Sequence, residues 1–398
     1  MVVAKLSSPH FRGGRGGLPL PPSLGGGPRG APNQSVMRIL LAIDSFKGCL
    51  SSVEAERAVS LGVKQSLPDA QIVCVPMSDG GEGMLEAFAA AMGATLVTIQ
   101  VHDPLMRPIT ASYGVTGDGT AIIEMAQASG LALLQATERN PLQATSYGTG
   151  ELIADALRRG CKRMIVGLGG SATVDGGRGM LEALGATIGE DVVDLSQSLL
   201  AECDVPITIA GDVRNPLCGL DGAAHVFGPQ KGATPAMVDE LELRMKHWAA
   251  ITAQAVCHDY RDMPGAGAAG GLGFALLAYM HATMQSGIDL LMDLIDIDHM
   301  LDGCDLVITG EGSADRQTLM GKLPSGILRR AHSHGVPTIL IAGRVSDHQS
   351  LLDAGFAQVH CVNPADSPLS ECMQPDIARH RLAQWGRRFV NEFRVNSF

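Results

Sequence analysis

Short apolar strands that alternate with amphipathic helices at both ends of the chain constrain its fold most. Near the start, the strand RILLAID (38–44) precedes a helix that begins at Ser51 or Ser52, and the strand QIVCVPM (71–77) precedes the helix GMLEAFAAAMG. The C-terminal part repeats this order, with strands expected at 305–310, 336–343 and 358–363 and helices at 325–334 and 346–354. Continuous apolar strands are typical of parallel sheets covered on both faces. The pattern predicts an α/β fold in which both chain ends form one doubly wound layer.

The middle of the chain has a different pattern. Turn residues separate three apolar segments, which predicts antiparallel strands at 95–105, 109–115 and 120–126. Further elements are expected in the order helix 149–159, strand 163–170, helix 236–258 with Thr234 as N-cap, a glycine-rich loop, and helix 274–284. We therefore predict an inserted second domain at 90–300, which leaves 37–89 and 301–398 for the doubly wound domain.

Two segments need a separate explanation. Residues 1–36 contain eight Gly, six Pro and four basic residues but no acidic residue. This composition predicts a disordered extension, with translation from Met37 or a transit peptide as alternatives. Residues 263–288 contain no Asp, Glu, Lys or Arg. Glycines crowd their first half, which favours a loop and a short buried helix over a membrane span.

Charge and cysteine usage exclude several classes of function. The chain of 398 residues carries a net charge of −11, which argues against nucleic acid as a main partner. Its nine cysteines include no C-x-x-C pair, so we expect reduced thiols and neither a disulfide framework nor a zinc site. These observations predict a cytoplasmic protein that acts on small molecules.

Glycine- and acid-rich loops follow the ends of several expected strands, where open α/β sheets bind ligands. They are DSFKG (44–48), SDGGEG (78–83), GLGGSATVDGG (167–177), GDVRNPL (211–217) with FGPQKG (227–232), and TGEGSAD (309–315) with GKLP (321–324). Glycine lets backbone N–H groups approach a phosphate closely, and Asp or Glu can hold Mg²⁺. The alternative for any single loop is a tight turn.

The loops supply the candidate residues for phosphoryl transfer, which needs cations, a metal and a group that orients or deprotonates the acceptor hydroxyl. We predict the catalytic residues Asp212, Lys47 and Asp79. Substrate or phosphate contacts are predicted for Ser45, Gly80, Gly81, Gly170, Ser171, Asn215, Lys231, Gly312 and Lys322. Metal ligands are predicted among Asp79, Glu82, Asp175, Glu311 and Asp315.

Each candidate has a structural alternative. Asp79 and Glu82 fit the spacing of a helix capping box, Asp212 that of an Asx turn, and the lysines could be solvated. Lys322 follows a glycine, but Arg316 and Leu323 occupy positions where a Walker A motif needs Gly and Ser or Thr.

Eight segments of the chain resemble, in the same order, the block motifs of the bacterial glycerate kinase family, of the glycerate 2-kinase type. They are DSFKG, DGGEG, SYGTGELI, GLGGSATVDGG, DVRNPLCGLDGAA, VFGPQKGAT, GAGAAGGLG and ITGEGSADRQTLMGKLP. The resemblance covers Met37 to about residue 365. It implies a flavodoxin-like domain built from both termini, with an inserted α/β domain.

The resemblance also implies an activity. It implies ATP- and Mg²⁺-dependent phosphorylation of D-glycerate to 2-phosphoglycerate and ADP, with glycerate and ATP as the small-molecule partners. The alternatives are transfer to the 3-hydroxyl and a non-catalytic metabolite-binding protein of the same fold. A nicotinamide dehydrogenase is disfavoured because strand 38–44 does not lead into G-x-G-x-x-G. A homodimer is left open.

Overall fold

The computed structural model describes residues 36–77, 83–201 and 203–396, with side chains up to Phe389. Apart from Val36, the extension expected at 1–36 lies outside the described residues. Met37–Phe398 groups as one compact unit. The division of that unit into two domains therefore stays a prediction.

The strands form two main sheets and one small hairpin. In chain order they are β1 (Arg38–Ile43), β2 (Gln71–Cys74), β3 (Thr95–His102), β4 (Pro108–Val115), β5 (Thr120–Glu124), β6 (Arg163–Gly167), β7 (Thr187–Ile188), β8 (Val193–Asp194), β9 (Ile207–Ala210), β10 (Thr283–Gln285), β11 (Leu306–Ala314), β12 (Thr338–Val345) and β13 (Gln358–Cys361). β7 and β8 pair only with each other.

The first main sheet contains strands from both chain ends. Its order is β13-β12-β11-β1-β2, and every neighbouring pair is parallel. The second has the order β10-β9-β6-β5-β4-β3 and comes from the middle of the chain. Its β10-β9-β6-β5 part is parallel, whereas β5-β4-β3 is antiparallel, which confirms the pairing expected for the three segments after residue 95.

Helices connect and cover the strands. They are α1 (Ser52–Ser66), α2 (Met84–Met92), α3 (Ala126–Ser129), α4 (Tyr147–Arg158), α5 (Arg178–Ala183), α6 (Pro235–Val256), α7 (Leu272–Met280), α8 (Gly287–Leu294), α9 (Ile297–Leu301), α10 (Leu323–Ser333), α11 (His348–Asp353), α12 (Leu369–Cys372) and α13 (Pro375–Asn396). Ser51 caps α1 through a complete capping box, and the side chain of Thr234 caps α6.

The first main sheet is covered on both faces, as its apolar strands predict. Ile39, Leu41 and Ile43 of β1 pack in the same cluster as residues of α1 and α13. Leu40 and Ala42 point to the opposite face, where α10 and α2 supply the partners. Successive side chains of a strand alternate between faces, so β1 is buried on both. The doubly wound α/β class is confirmed.

Helices α1 and α13 approach each other very closely. A Cβ atom added at Gly62 of α1 would lie 2.0 Å from the backbone oxygen of Ala383 in α13. Glycine is required there because no side-chain atom fits between the two backbones. The C-terminal helix thus completes one face of the first main sheet.

An apolar cluster connects the two main sheets. It contains Ala42 of β1, Ile122 of β5, Ile165 of β6 and Phe88 of α2. The segment 263–288 contains a 3₁₀ turn, then α7, whose residues are all buried, and then β10. The helix expected at 274–284 therefore ends earlier, at Met280. No helix among the described residues is long and apolar enough to cross a membrane.

Candidate active site

A cleft of about 920 Å³ lies at the carboxyl ends of β1, β11, β12 and β13. Five of the predicted residues line it: Ser45, Lys47, Glu311, Gly312 and Lys322. They come from opposite ends of the chain and meet because β1 and β11 are neighbours in the sheet. The structure therefore brings part of the predicted site together at the sheet edge that the strand pattern indicated.

Glu311 and Lys322 form an ion pair inside this cleft. The Glu311 carboxylate is 7% exposed and accepts hydrogen bonds from Lys322 Nζ at 3.1 Å and from Thr318 Oγ1 at 2.6 Å. Burial raises the pKa of Glu311, and both of these partners oppose the rise. The positive charge of Lys322 is thus compensated by the Glu311 carboxylate.

Asp315 lies beside this pair but has a local partner. Its carboxylate Oδ1 accepts from the backbone N–H of Gln317 at 2.7 Å and caps the turn Arg316–Leu319. The backbone N–H of Asp315 donates to Thr318 Oγ1 at 2.9 Å. Asp315 thereby positions the Thr318 hydroxyl, which in turn donates to Glu311. The predicted role of Asp315 as a metal ligand stays a prediction.

The loop after β1 separates the cleft from a second, smaller cavity of about 350 Å³. Ser45 and Lys47 line both cavities. Asp44 is 7% exposed, and its Oδ1 accepts from the N–H of Ser45 at 2.7 Å. The lining of the smaller cavity includes Met77 and Gly83.

Four predicted residues, Asp79, Gly80, Gly81 and Glu82, lie outside the described residues. The helix that follows them begins at Met84 with Gly83 as its N-cap. The N–H of Leu85 in its first turn donates to Glu124 Oε2 at 3.0 Å. Glu124 ends β5, so this bond joins the first turn of α2 to the second main sheet.

A second group of predicted residues surrounds the loop after β6. Lys231 is only 2% exposed, and its Nζ donates to Ser171 Oγ at 2.6 Å and to the Thr173 carbonyl at 2.7 Å. Burial lowers the pKa of Lys231 to about 7, although the charge of Asp175 opposes this. The alternative of a solvated Lys231 is therefore wrong.

The same loop is held at several other points. Asp175 accepts hydrogen bonds from the N–H and Oγ of Ser146, at 2.7 and 2.8 Å, and from the N–H groups of Gly177 and Gly179. Gly270 has φ +66°, and a Cβ there would lie 1.8 Å from the Thr173 oxygen. These contacts fix the loop, and the predicted roles of Gly170, Ser171, Asp175 and Lys231 in ligand binding stay predictions.

Asp212 and Asn215 follow β9, which lies next to β6 in the second main sheet. Asp212 is exposed, and Asn215 Nδ2 donates to the Asp221 carbonyl at 2.8 Å. Neither residue lines the two cavities described above. The predicted residues thus occupy the carboxyl edges of two different sheets.

Sequence reasoning missed three charged or amide side chains that line the larger cleft: Asp44, Arg344 and Asn363. Asn363 is oriented by its donation to the Gly343 carbonyl at 2.8 Å and by a hydrogen bond from Arg381 at 2.9 Å. The signal was available, because each of the three lies at or just past the end of a predicted strand of the first main sheet.

The donor set of the larger cleft fits Mg²⁺. Among the described residues no three His, Cys, Asp or Glu side chains form a ready-made metal cluster. Mg²⁺ bound with nucleotides needs only one or two carboxylates, because phosphate oxygens and water complete its coordination. Asp44 and Glu311 both line the cleft and would supply those carboxylates.

Comparisons with known proteins decide the family. The glycerate kinase family model matches residues 39–393. The chain belongs to the glycerate kinase family. It is 43% identical to glycerate 2-kinase of Escherichia coli K12, over 83% of this chain and 92% of that protein. It is also 43% identical to glycerate kinase of Bacillus subtilis 168, over 85% of this chain and 93% of that protein. The match continues past residue 365, where the resemblance was expected to end.

A solved structure supports the same assignment. The crystal structure of a Salmonella typhimurium LT2 protein assigned as glycerate kinase 2 has a TM-score of 0.78 and 38% identity, and covers 90% of this chain and 99% of that one. The resemblance to the glycerate kinase family is therefore confirmed. As a member of this family, the protein is an enzyme of the kinase class.

Proposed function

We propose that this enzyme transfers the γ-phosphoryl group of Mg²⁺-bound ATP to the 2-hydroxyl of D-glycerate, giving 2-phosphoglycerate and ADP. The observation that carries the proposal is the larger cleft, which is lined by the cations Lys47, Lys322 and Arg344 and by the carboxylates Asp44 and Glu311. The family and the E. coli relative named glycerate 2-kinase support the acceptor and the product.

The chemistry assigns a task to each charged group. In the transfer, a bond forms between the acceptor oxygen and the γ-phosphorus, the bond from that phosphorus to the ADP oxygen breaks, and the hydroxyl proton goes to a carboxylate. Lys47 and Lys322 stabilise the charge that spreads over the transferred group. Mg²⁺ held by Asp44 and Glu311 would neutralise phosphate charge.

Asp212 is the proposed general base, with Asp79 as the second catalytic carboxylate. Asp212 lies just past the carboxyl end of β9 in the second main sheet, whereas Lys47 lies in the loop after β1 of the first main sheet. We infer that the two edges close on the substrates, which excludes water from the phosphoryl group. Small-molecule partners and a cytoplasmic location belong to the same proposal.

Phosphorus NMR tests the reaction directly. Purified full-length protein is incubated with Mg²⁺, ATP and D-glycerate, and the spectrum is compared with added 2- and 3-phosphoglycerate. A new phosphomonoester signal that matches 2-phosphoglycerate supports the proposal. A match to 3-phosphoglycerate keeps the kinase and its acceptor but overturns the site of transfer. Unchanged ATP in the presence of folded protein overturns D-glycerate as the acceptor.

A further inference from the structure

The backbone pairing between β1 and β2 stops before β1 itself ends. The last hydrogen bond between the two chains joins the Val75 N–H to the Leu41 carbonyl, at 2.9 Å. Every second residue of a strand faces the same neighbour, so Ile43 and Met77 would form the next bond. A side chain of α1 lies between these two residues instead.

That side chain is Ser52, in the first turn of α1. Its Oγ donates to the Ile43 carbonyl at 2.5 Å and accepts from the Met77 N–H at 3.0 Å. Ser52 is buried, and it is not the residue that caps the helix, because Ser51 has that role. The hydroxyl of Ser52 therefore holds the ends of the two strands apart by its own width.

Glu56 holds the other backbone group of Ile43. It lies one turn after Ser52 on the same face of α1. Its carboxyl group is 1% exposed, and Oε1 accepts from the Ile43 N–H at 3.1 Å. Burial raises the pKa of Glu56 well above its ordinary value, and hydrogen bonds with the backbone of Ile43 and Val75 oppose the rise. A buried carboxyl group is costly unless it is hydrogen-bonded, and here its partner is the end of β1.

Ile43 directly precedes residues that line the larger cleft. On the opposite edge of β1, the Asp44 N–H donates to the Gly310 carbonyl of β11 at 2.9 Å. The end of β1 is thus bonded to β11 on one side and to two side chains of α1 on the other. This double attachment sets the direction in which the chain leaves the sheet, and Asp44 and Lys47 then line the cleft.

We propose that Ser52 and Glu56 are positioning residues of this kinase, which replace β2 as the hydrogen-bond partner of Ile43 and thereby direct Asp44 and Lys47 into the larger cleft. The inference rests on the proposed function, since it concerns the groups that would hold Mg²⁺ and the phosphates there. Ser52 and Glu56 act through Ile43, and the role requires no contact between them and a substrate. A misplacement of about 1 Å in a site of this kind lowers the rate up to about 100-fold.

Ser52→Ala and Glu56→Ala each remove one partner of Ile43. Each should lower kcat about 10-fold or more and raise the Kd for a fluorescent Mg²⁺–methylanthraniloyl-ATP about five-fold, with an unchanged circular dichroism spectrum. Glu56→Gln keeps an oxygen that accepts from the Ile43 N–H, so both constants should stay within about three-fold of wild type. If Glu56→Ala does not fold, Glu56→Asp replaces it, because its carboxyl group is one methylene further from Ile43.

Val59→Ala is the matched control for a loss of stability. Val59 lies on the same helix and is fully buried in the apolar cluster that α1 forms with β1 and α13. Its truncation removes buried methyl groups and destabilises the protein, but it leaves both partners of Ile43 in place. Its kcat and its Kd for the nucleotide should therefore stay within about two-fold of wild type.

The results separate this inference from the proposed function. Wild-type constants for Ser52→Ala or for Glu56→Ala in folded protein would overturn the role of that residue. Losses of the same size in Val59→Ala, or a Glu56→Gln as impaired as Glu56→Ala, would overturn the positioning of Ile43 as their cause. If the wild-type enzyme does not phosphorylate D-glycerate, the proposed function fails, but the Kd values for the nucleotide still decide whether Ser52 and Glu56 position the cleft.

Discussion

Replacing Lys231 by methionine should change how the stability of the protein depends on pH. Lys231 is buried, and its pKa in the folded protein is about 7, against the ordinary lysine value of 10.5. Between these two values the unfolded chain binds one proton more than the folded protein at this position. The folded state therefore becomes more stable as the pH rises through this window, and the full destabilisation is present below pH 7.

The size of the effect follows from the two pKa values. Each pH unit inside the window adds about 1.4 kcal/mol to the free energy of unfolding. From pH 7.5 to pH 9 the wild-type protein should therefore gain about 2 kcal/mol relative to Lys231→Met, which lacks the titrating group. Methionine keeps much of the side-chain volume, so a change in packing adds little to this difference between pH values.

Urea denaturation measures this difference. Unfolding curves of both proteins are recorded with a reducing agent at pH 6, 7.5 and 9, and the free energies are compared at each pH. Other titrating groups are the same in both proteins and cancel. Lys64→Met, which removes an exposed lysine of α1, is the control and should show no such trend. A constant difference between wild type and Lys231→Met across the three pH values would refute the reasoning.

Three further predictions concern the fold and the site. Gly62→Ala should destabilise the protein by about 2 kcal/mol or more in urea denaturation, because the added Cβ would overlap a backbone oxygen of α13. The control Gly117→Ala, where the added Cβ would meet open space, should change stability by less than about 0.5 kcal/mol. Asp212→Asn should lower kcat at least about 100-fold with an unchanged circular dichroism spectrum, and near-normal turnover would remove it as the base. Lys322→Ala leaves the buried Glu311 carboxylate without its cation, which raises the pKa of that carboxyl further. In urea denaturation the variant should therefore lose more stability relative to wild type at pH 8, where the carboxyl is charged, than at pH 5. An equal loss at both pH values would contradict this.

Much of the fold follows from sequence because its signals are local. The apolar strands 38–44 and 336–343 identify a sheet buried on both faces. The expected ends were less accurate, because β2 ends at Cys74 rather than at 77 and β11 continues to Ala314 rather than ending at 310. Since parallel strands share a carboxyl edge, Lys47 and Glu311 were expected to face ligand, and they line one cleft. Thr234 as the N-cap of α6 follows from a similar local rule and is confirmed.

The rest depends on contacts between distant segments. Lys231 looks like a surface residue in FGPQKG, and only the packing of the loop after β6 buries it. The ion pair between Glu311 and Lys322 depends on how the turn Arg316–Leu319 folds back, which no periodicity encodes. Arg344 and Asn363 could have been found by the strand-end rule, since Arg344 lies between Gly343 and Asp347, and Asn363 lies just past the apolar strand that ends at Cys361.

The strand order also sets when the active site can form during synthesis. All strands of the second main sheet lie between Thr95 and Gln285, so that sheet is complete in sequence while the ribosome is still adding the C-terminal part. β1 is made first, yet its neighbour β11 begins only at Leu306. Domains fold largely as units during translation. The edge of β1 that pairs with β11 therefore stays unpaired until β11 has been synthesised. The nascent chain thus has no complete larger cleft until its last quarter has emerged, because β11, β12 and β13 all contribute to its lining.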